Sequence, residues 1–441
     1  MNKLLSAGFF RLKKNLLFWL SMVFMAIAGI SFPLAAYADS QKYGLVYTLV
    51  GTFFTSAVFA VILSSVFCSL FIGADYSSGT IRNKVIAGHN RVSFYLANLV
   101  IERFDAAESE VKARNIAEAK FFRAICYFEL TTLWGTPPLV DRVLKNSEEY
   151  KVPNSTAEQL WKFMETDLTE AITSGKLTSK TSLEDRDGGT RATLEAARCL
   201  LGKIYLYQEK YADAKSELEK VISSGKYDLI ADVSTFYHPA SAGCKEYVLE
   251  CVRHYDPSNM YSQEGWFGIL ANWGFGYGFI AGPEASMHYK FNTTSGYSYF
   301  NPSKSLYDAF VAEEGADGYR LNAWIRTWEQ VIAMNIAVNT STNKYASEGY
   351  FRLKWLASTD DEFVGYWCGN QSNTPVIRYA DVLLMAAEAC LQAGNQARAD
   401  EHLGRAPARA HLPRHSHVKV SDVKLERSLE LDFQDMSFQA L

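Results

Sequence analysis

The sequence predicts a mainly α-helical protein: two transmembrane helices at the N-terminus, then a tetratricopeptide-like helical scaffold carrying long, irregular, aromatic-rich insertions. Three observations carry that expectation. Residues 15–38 and 43–74 contain no charged side chain, whereas from about Ile101 onward the chain is mixed in the manner of a water-exposed domain. Beyond that change, apolar residues recur at three- and four-residue spacing. A stretch from Tyr255 to Phe300 breaks the pattern with a dense run of aromatic residues.

The N-terminal segment comes first. A hydrocarbon core of ~30 Å needs roughly 20 apolar residues in a helix, and both uncharged runs are long enough. Lys3, Arg11, Lys13 and Lys14 precede the first run, Asp39 and Lys42 lie between the two, and Arg82, Lys84, Arg91 and Arg103 follow. Because Lys and Arg concentrate on the cytoplasmic side, the expectation is two spans (15–38 and 43–74) with both ends inside. A secretory signal cleaved after Ala36-Tyr37-Ala38 is the alternative; the length of the first run and the second run behind it favour the spans. Gly73-Ala74-Asp75-Tyr76-Ser77-Ser78-Gly79-Thr80-Ile81-Arg82-Asn83-Lys84, followed by Gly88-His89-Asn90-Arg91 and Tyr95-Leu96-Ala97-Asn98, resembles the start of an ABC transporter permease subunit. That resemblance implies an ATPase subunit as partner through residues 75–95, and it sets a first domain at 1–98 as a permease-like fragment. The chain itself has no G-x-x-x-x-G-K-[ST] phosphate loop. With a different domain behind it, the N-terminal segment gives the whole the look of a chimera.

Residues 99–441 form the second expected domain. Ala119, Phe122, Cys126, Leu130 and Leu133 place a helix over Ile116–Trp134, stopped by Pro137-Pro138. Leu194, Ala197, Leu201 and Ile204 place a second helix, and Ala214, Leu218 and Val221 a third. Leu201-Gly202, Tyr205, Tyr211 and Ala214 fit the tetratricopeptide pattern, in which Gly and Ala let paired helices approach closely. Tyr379 to Leu403 reads as a further helix pair, broken at Gly394-Asn395. Gly404 and Pro407 come next; a Pro in a helix interior costs ~3 kcal/mol, so helix should end or kink there.

The insertion at 255–300 sets its rings among Gly, Asn and Ser, with neither helical nor strand period. Rigid rings on adaptable loops supply apolar contact area at low entropic cost, and sugars present apolar C–H faces to stack on them. Trp266, Trp273, Tyr277, Tyr289, Tyr297 and Tyr299 are the candidate ligand-binding residues. Gly274-Phe275-Gly276-Tyr277-Gly278 is not a dinucleotide fingerprint, because its aromatics block backbone approach to a phosphate.

Composition excludes several classes. A net charge of −4 leaves no basic face for nucleic acid. The seven cysteines include no C-x-x-C pair, so neither a zinc knuckle nor a disulfide framework is indicated. No H-E-x-x-H or G-x-S-x-G is present, so no catalytic residue and no cofactor are assigned. His402, His411, His415 and His417 fit no metal-ligand spacing and read as a solvated polar segment.

A second resemblance covers residue 98 to the end. Ala117-Glu118-Ala119-Lys120-Phe121-Phe122-Arg123-Ala124, Tyr127-Phe128 and Trp134-Gly135-Thr136-Pro137-Pro138-Leu139-Val140 resemble the SusD/RagB family. Lys245-Glu246-Tyr247-Val248-Leu249-Glu250, Gly318-Tyr319-Arg320, Val376 to Ala389, and Leu425-Glu426-Arg427 with Leu429-Glu430-Leu431 follow in the same order. The resemblance implies a non-catalytic nutrient-binding protein of the outer membrane. It also implies capture of a glycan for a SusC-like, TonB-dependent transporter partner. Two readings stand beside it: a transport component of the inner membrane whose soluble part faces the cytoplasm, and a peptide-binding helical scaffold. The lipidated N-terminal cysteine of the family is absent from this sequence, and Ser428, Gln434 and Ser437 replace its usual Arg, Glu and Arg.

Overall fold

The computed structural model of the protein describes residues 90–145, 149, 151–236, 238–252, 302–333, 349–352, 354, 373–413 and 416–431. Nearly all of them belong to one compact unit, Val92–Leu441. The expected spans at 15–38 and 43–74 lie outside the described residues. Among the described residues no helix is long and apolar enough to cross a membrane. Helix α2 (Glu110–Trp134) has the length but carries Glu110, Lys112, Arg114, Glu118, Lys120 and Arg123.

Helix α1 (Asn90–Arg103) leads into α2. Helix α2 starts six residues before the expected Ile116, because the Ser109 side chain accepts from the Lys112 amide and caps it there. Its end falls at Trp134 as expected, but Gly135, at φ 76°, turns the chain before the prolines are reached. No helix is expected from the sequence over α3 (Ala157–Thr173), although Thr156 and Gln159 form a reciprocal capping box at its start. Its apolar stripe of Leu160, Met164, Leu168 and Ala171 is fully buried. Helices α4 (Leu194–Tyr207) and α5 (Tyr211–Ser223) follow the sequence periods. A Cβ added at Gly202 would sit 2.8 Å from Leu218, the close approach that the tetratricopeptide pattern requires.

Three short helices and two ribbons come next. They are β1 (Tyr247–Cys251), α6 (Lys304–Glu314), α7 (Tyr319–Trp324), β2 (Ile325–Thr327), α8 (Trp328–Ala333), β3 (Tyr350–Arg352) and β4 (Thr374–Arg378). Strand β1 pairs antiparallel with β4, and β2 with β3. The expected C-terminal pair is α9 (Tyr379–Gln392) and α10 (Gln396–Leu403), turned at Gly394 with φ 77°. Helix α10 ends at Leu403, and Pro407 sits in the first turn of α11 (Arg405–Arg409), where a missing N–H costs little. Helix α12 (Val420–Leu431) closes the order. The helices stack in sequence, α2 on α3, α3 on α4 and α4 on α5, and α9 then packs on α5, α10 and α12.

Among the described residues, two of the buried ion-pair systems tie these layers together. Arg123 donates to both Asp167 oxygens at 2.7 Å and to Asn98 Oδ1 at 2.7 Å, tying α2, α3 and α1. Asn98 also donates to the carbonyl of Val140 at 3.3 Å, so scaffold packing already includes the residue at the expected domain boundary.

The second system is larger. Glu246, Glu314, Glu426 and Glu430 meet Arg320, Arg378, Arg409 and Lys354, four carboxylates against four cations. Arg320, Glu246 and Glu430 are each 0% exposed. Removing one partner of such a pair costs ~3–5 kcal/mol, because the other charge stays buried. Against the effect of burial, Arg409, Arg378 and Arg320 hold the Glu430 carboxyl far below its ordinary value. Its contribution is therefore present above the unfolded-state value and is lost as pH falls through the folded one. Glu426 behaves oppositely: burial outweighs Arg320 and lifts it to about 6, so this group costs stability as pH rises through that value.

Gly202→Val is expected to destabilise the fold by about 2 kcal/mol in urea unfolding, since the branched side chain must displace Leu218. An unchanged midpoint would show that α4 and α5 can separate without loss.

Candidate binding site

The six candidate rings, Trp266, Trp273, Tyr277, Tyr289, Tyr297 and Tyr299, lie outside the described residues. The structure describes the frame on which their segment is rooted. The chain enters 253–301 from β1 and leaves it into α6, whose first turn is capped by Ser303 accepting from the Leu306 amide. In the β1–β4 register Cys251 faces Thr374. The strand end that leads into 253–301 is thus the same ribbon end by which the chain returns from 355–372.

That ribbon end is anchored by polar groups with little access to water. Glu250 accepts from the Gly243 amide at 2.9 Å and from Asn373 Nδ2 at 3.0 Å. Gly243 has φ 65°, and a Cβ there would lie 2.5 Å from the Arg186 carbonyl oxygen, so the turn demands glycine. Lys180, 1% exposed, donates to the carbonyls of Gly243 at 3.0 Å and Cys244 at 3.1 Å, with its ammonium 5.4 Å from the Tyr227 ring centre. Burial holds the Lys180 ammonium below its ordinary pKa. The segment before α4, the turn before β1 and the strand end are thereby fastened to one another.

Beneath the frame lies an apolar core of Val233, Phe236, Tyr247, Phe310, Leu321 and Trp324. The Trp324 indole donates to the Val233 carbonyl at 3.2 Å, and its ring lies edge-on to Phe310 with centroids 6.3 Å apart. These rings serve packing. Lys354 sits 3.8 Å from the Trp324 ring centre and donates to the Glu430 carbonyl, which joins this core to the charge cluster.

The histidines separate in space. His402 is fully buried on α10, contrary to the solvated segment expected for it, because it lies on the helix face that also buries Ala399 and Leu403. Its Nε2 is 2.9 Å from Glu219 Oε1. His411 and His417 are exposed, as expected, and His415 lies outside the described residues. Burial raises the thiol pKa of Cys126, Cys244 and Cys390 to about 11, so these are poor nucleophiles.

Of these anchors, Lys180 and Asn373 are not singled out by sequence, and Glu250 enters only as the last residue of the block Lys245-Glu246-Tyr247-Val248-Leu249-Glu250.

Comparison with known proteins gives a consistent result. Residues 245–439 match the sequence model of the SusD family, and residues 53–206 match a second one described as starch-binding associating with outer membrane. The second match begins well before residue 98 and lends no support to a permease segment there. A SusD-like protein of Bacteroides ovatus is 24% identical over 377 residues, covering 81% of this chain and 62% of that protein. One from Formosa agariphila is 26% identical over 148 residues, 33% of this chain and 27% of that protein. The chain therefore spans less than two thirds of the length of these relatives.

Among solved structures, a laminarin-binding SusD-like protein superposes with a TM-score of 0.58 at 24% identity, covering 77% of this chain and 72% of that one. Surface glycan-binding protein A from Bacteroides fluxus gives 0.59 at 19% identity, covering 78% and 70%. Surface glycan-binding protein A from Bacteroides thetaiotaomicron, in complex with laminarihexaose, gives 0.55 at 22% identity, covering 73% and 67%. These likenesses establish the fold.

Asn373→Ala takes an amide donor from the Glu250 carboxylate and is expected to cost about 2 kcal/mol in urea unfolding, as for other hydrogen bonds to charged groups. No loss would mean that the ribbon end is held by other contacts.

Proposed function

Because residues 245–439 match the model of the SusD family and residues 53–206 one described as starch-binding associating with outer membrane, we propose that the chain is a SusD-like protein that binds a glycan, without catalysis, for uptake at the outer membrane. The transporter partner in this reading is a SusC-like, TonB-dependent barrel. The binding part is the unit Val92–Leu441. Trp266, Trp273, Tyr277, Tyr289, Tyr297 and Tyr299 are the stacking residues, and the β1–β4 ribbon end is the fixed base from which their segment leaves.

One observation carries the proposal. An insertion packed with Trp and Tyr, set among Gly, Asn and Ser, is rooted on a frame clamped by Lys180, Glu250 and Asn373. Binding loops on a rigid support are the usual arrangement of recognition sites. Flat rings with few rotatable bonds suit the apolar faces of pyranoses, while Asn and Ser suit their hydroxyls. Starch and laminarin, both glucans, appear in the descriptions of the matched family and of a solved relative, which makes a glucan the first ligand to test.

The protein is expected to be retarded in native gels containing starch or laminarin. Trp273→Ala should weaken retardation roughly tenfold in Kd, the equivalent of one lost stacking contact. Unretarded migration across a panel of glucans and other polysaccharides would overturn the reading.

A further inference from the structure

Three donor groups of different chemistry converge where the two helix pairs of the scaffold meet. Helix α5 supplies Glu219, α9 supplies Cys390 and α10 supplies His402, and one donor atom from each lies within 4.8 Å of the others. Glu219 Oε1 is 2.9 Å from His402 Nε2 and 3.8 Å from Cys390 Sγ. Cys390 and His402 are both 0% exposed, while the Glu219 side chain keeps 21% exposure and gives the cluster its access to solvent. His402 Nδ1 is buried with no hydrogen-bond partner. A carboxylate held by an arginine is common in scaffolds. A thiol on the same oxygen, beside an imidazole with one bare nitrogen, is not explained by helix packing.

We propose that Glu219, Cys390 and His402 bind a thiophilic divalent cation, zinc first among them, as a staple between α5 and the α9–α10 pair. Thiolate, imidazole and carboxylate are the donor types zinc takes at ~2.0–2.3 Å, which sets donors of a tetrahedral site roughly 3.3–3.8 Å apart. Two of the three separations bracket that range and all three donor atoms lie within 4.8 Å of one another, so the site closes on an ion with side-chain shifts on the order of 1 Å. On binding, the Sγ–H bond breaks, an Sγ–metal bond forms, and the proton leaves to solvent. The imidazole stays neutral, with its one proton on the nitrogen that is not on the metal. Three protein donors leave a fourth position for water on the Glu219 side.

The charges around the site permit a cation. Arg398 donates to Glu219 Oε1 at 3.0 Å and also to Oε2, fixing the carboxylate plane, and Glu401 offsets it with a 2.6 Å contact. Sequence spacing conceals the site, since Glu219 and His402 are 183 residues apart. The proposal is independent of the glycan reading, and each can fail without the other.

The test uses the full chain, stripped with chelator and titrated with cobalt(II). The expected result is a thiolate-to-cobalt charge-transfer band at one equivalent that zinc bleaches, that is lost in Cys390→Ser and that persists in Cys244→Ser. Zinc should also raise the unfolding midpoint of the wild-type protein by about 2 °C or more, and have no such effect on His402→Gln. Absence of the band, or its survival in Cys390→Ser, would overturn the site. If Cys390→Ser does not fold, X-ray absorption on the zinc-loaded wild-type protein decides: sulfur in the first coordination sphere supports the site, and nitrogen and oxygen alone refute it.

Discussion

The carboxylate of Glu430 on α12 is where α7, the end of β4 and α11 meet. It receives Arg320 from α7 at 3.1 Å, Arg378 from the end of β4 at 2.8 Å, and Arg409 from α11. Its backbone carbonyl takes Arg378 and Lys354, each at 2.8 Å. The helices that meet here, α7, α11 and α12, are not held by their own propensity alone, since isolated helices shorter than ~12–15 residues are marginal in water. Apolar stripes bring the layers together, but an apolar stripe tolerates sliding. A fully buried carboxylate with several required donors does not, because any shift leaves a charge without partners in a medium of low polarity. We regard this cluster as the constraint that fixes how the C-terminal helix, the ribbon and the α6–α7 hairpin sit on the scaffold.

The same constraint reaches the binding frame. Arg378 is the last residue of β4 and also bonds Glu246, one residue before β1, so the ribbon that roots the aromatic segment is pinned at one end by the charge cluster. Glu250 and Asn373 pin the other end. Buried hydrogen bonds of Lys180, Glu250 and Asn373 hold that end of the ribbon to the turn before it.

Much of the scaffold was legible in the sequence because it is local. The spacing of Leu194, Ala197, Leu201 and Ile204 is a helix wherever it occurs, and Gly202 opposite Leu218 shows why that helix pair needed a glycine. Gly404 and Pro407 correctly marked a break after α10. The start of α2 was misplaced because a serine cap, and not the first apolar residue, sets a helix boundary. The charge cluster was not legible. Arg320 and Glu426 are 106 residues apart, and each alone reads as an exposed charge. His402 was misread for the same reason: only folding brings Glu219 to it. The six candidate rings are the reverse case, conspicuous in composition and outside the described residues.

The most direct measurement of the central claim is a double-mutant cycle on Arg378→Met and Glu430→Gln, read by urea unfolding of the full chain. Each single change should cost about 3–5 kcal/mol, and the double should cost less than their sum by roughly 1–3 kcal/mol, because the second change relieves a charge that the first left bare. Single costs below about 1 kcal/mol, additive within about 0.5 kcal/mol, would contradict the account and return the assembly of these layers to apolar packing alone.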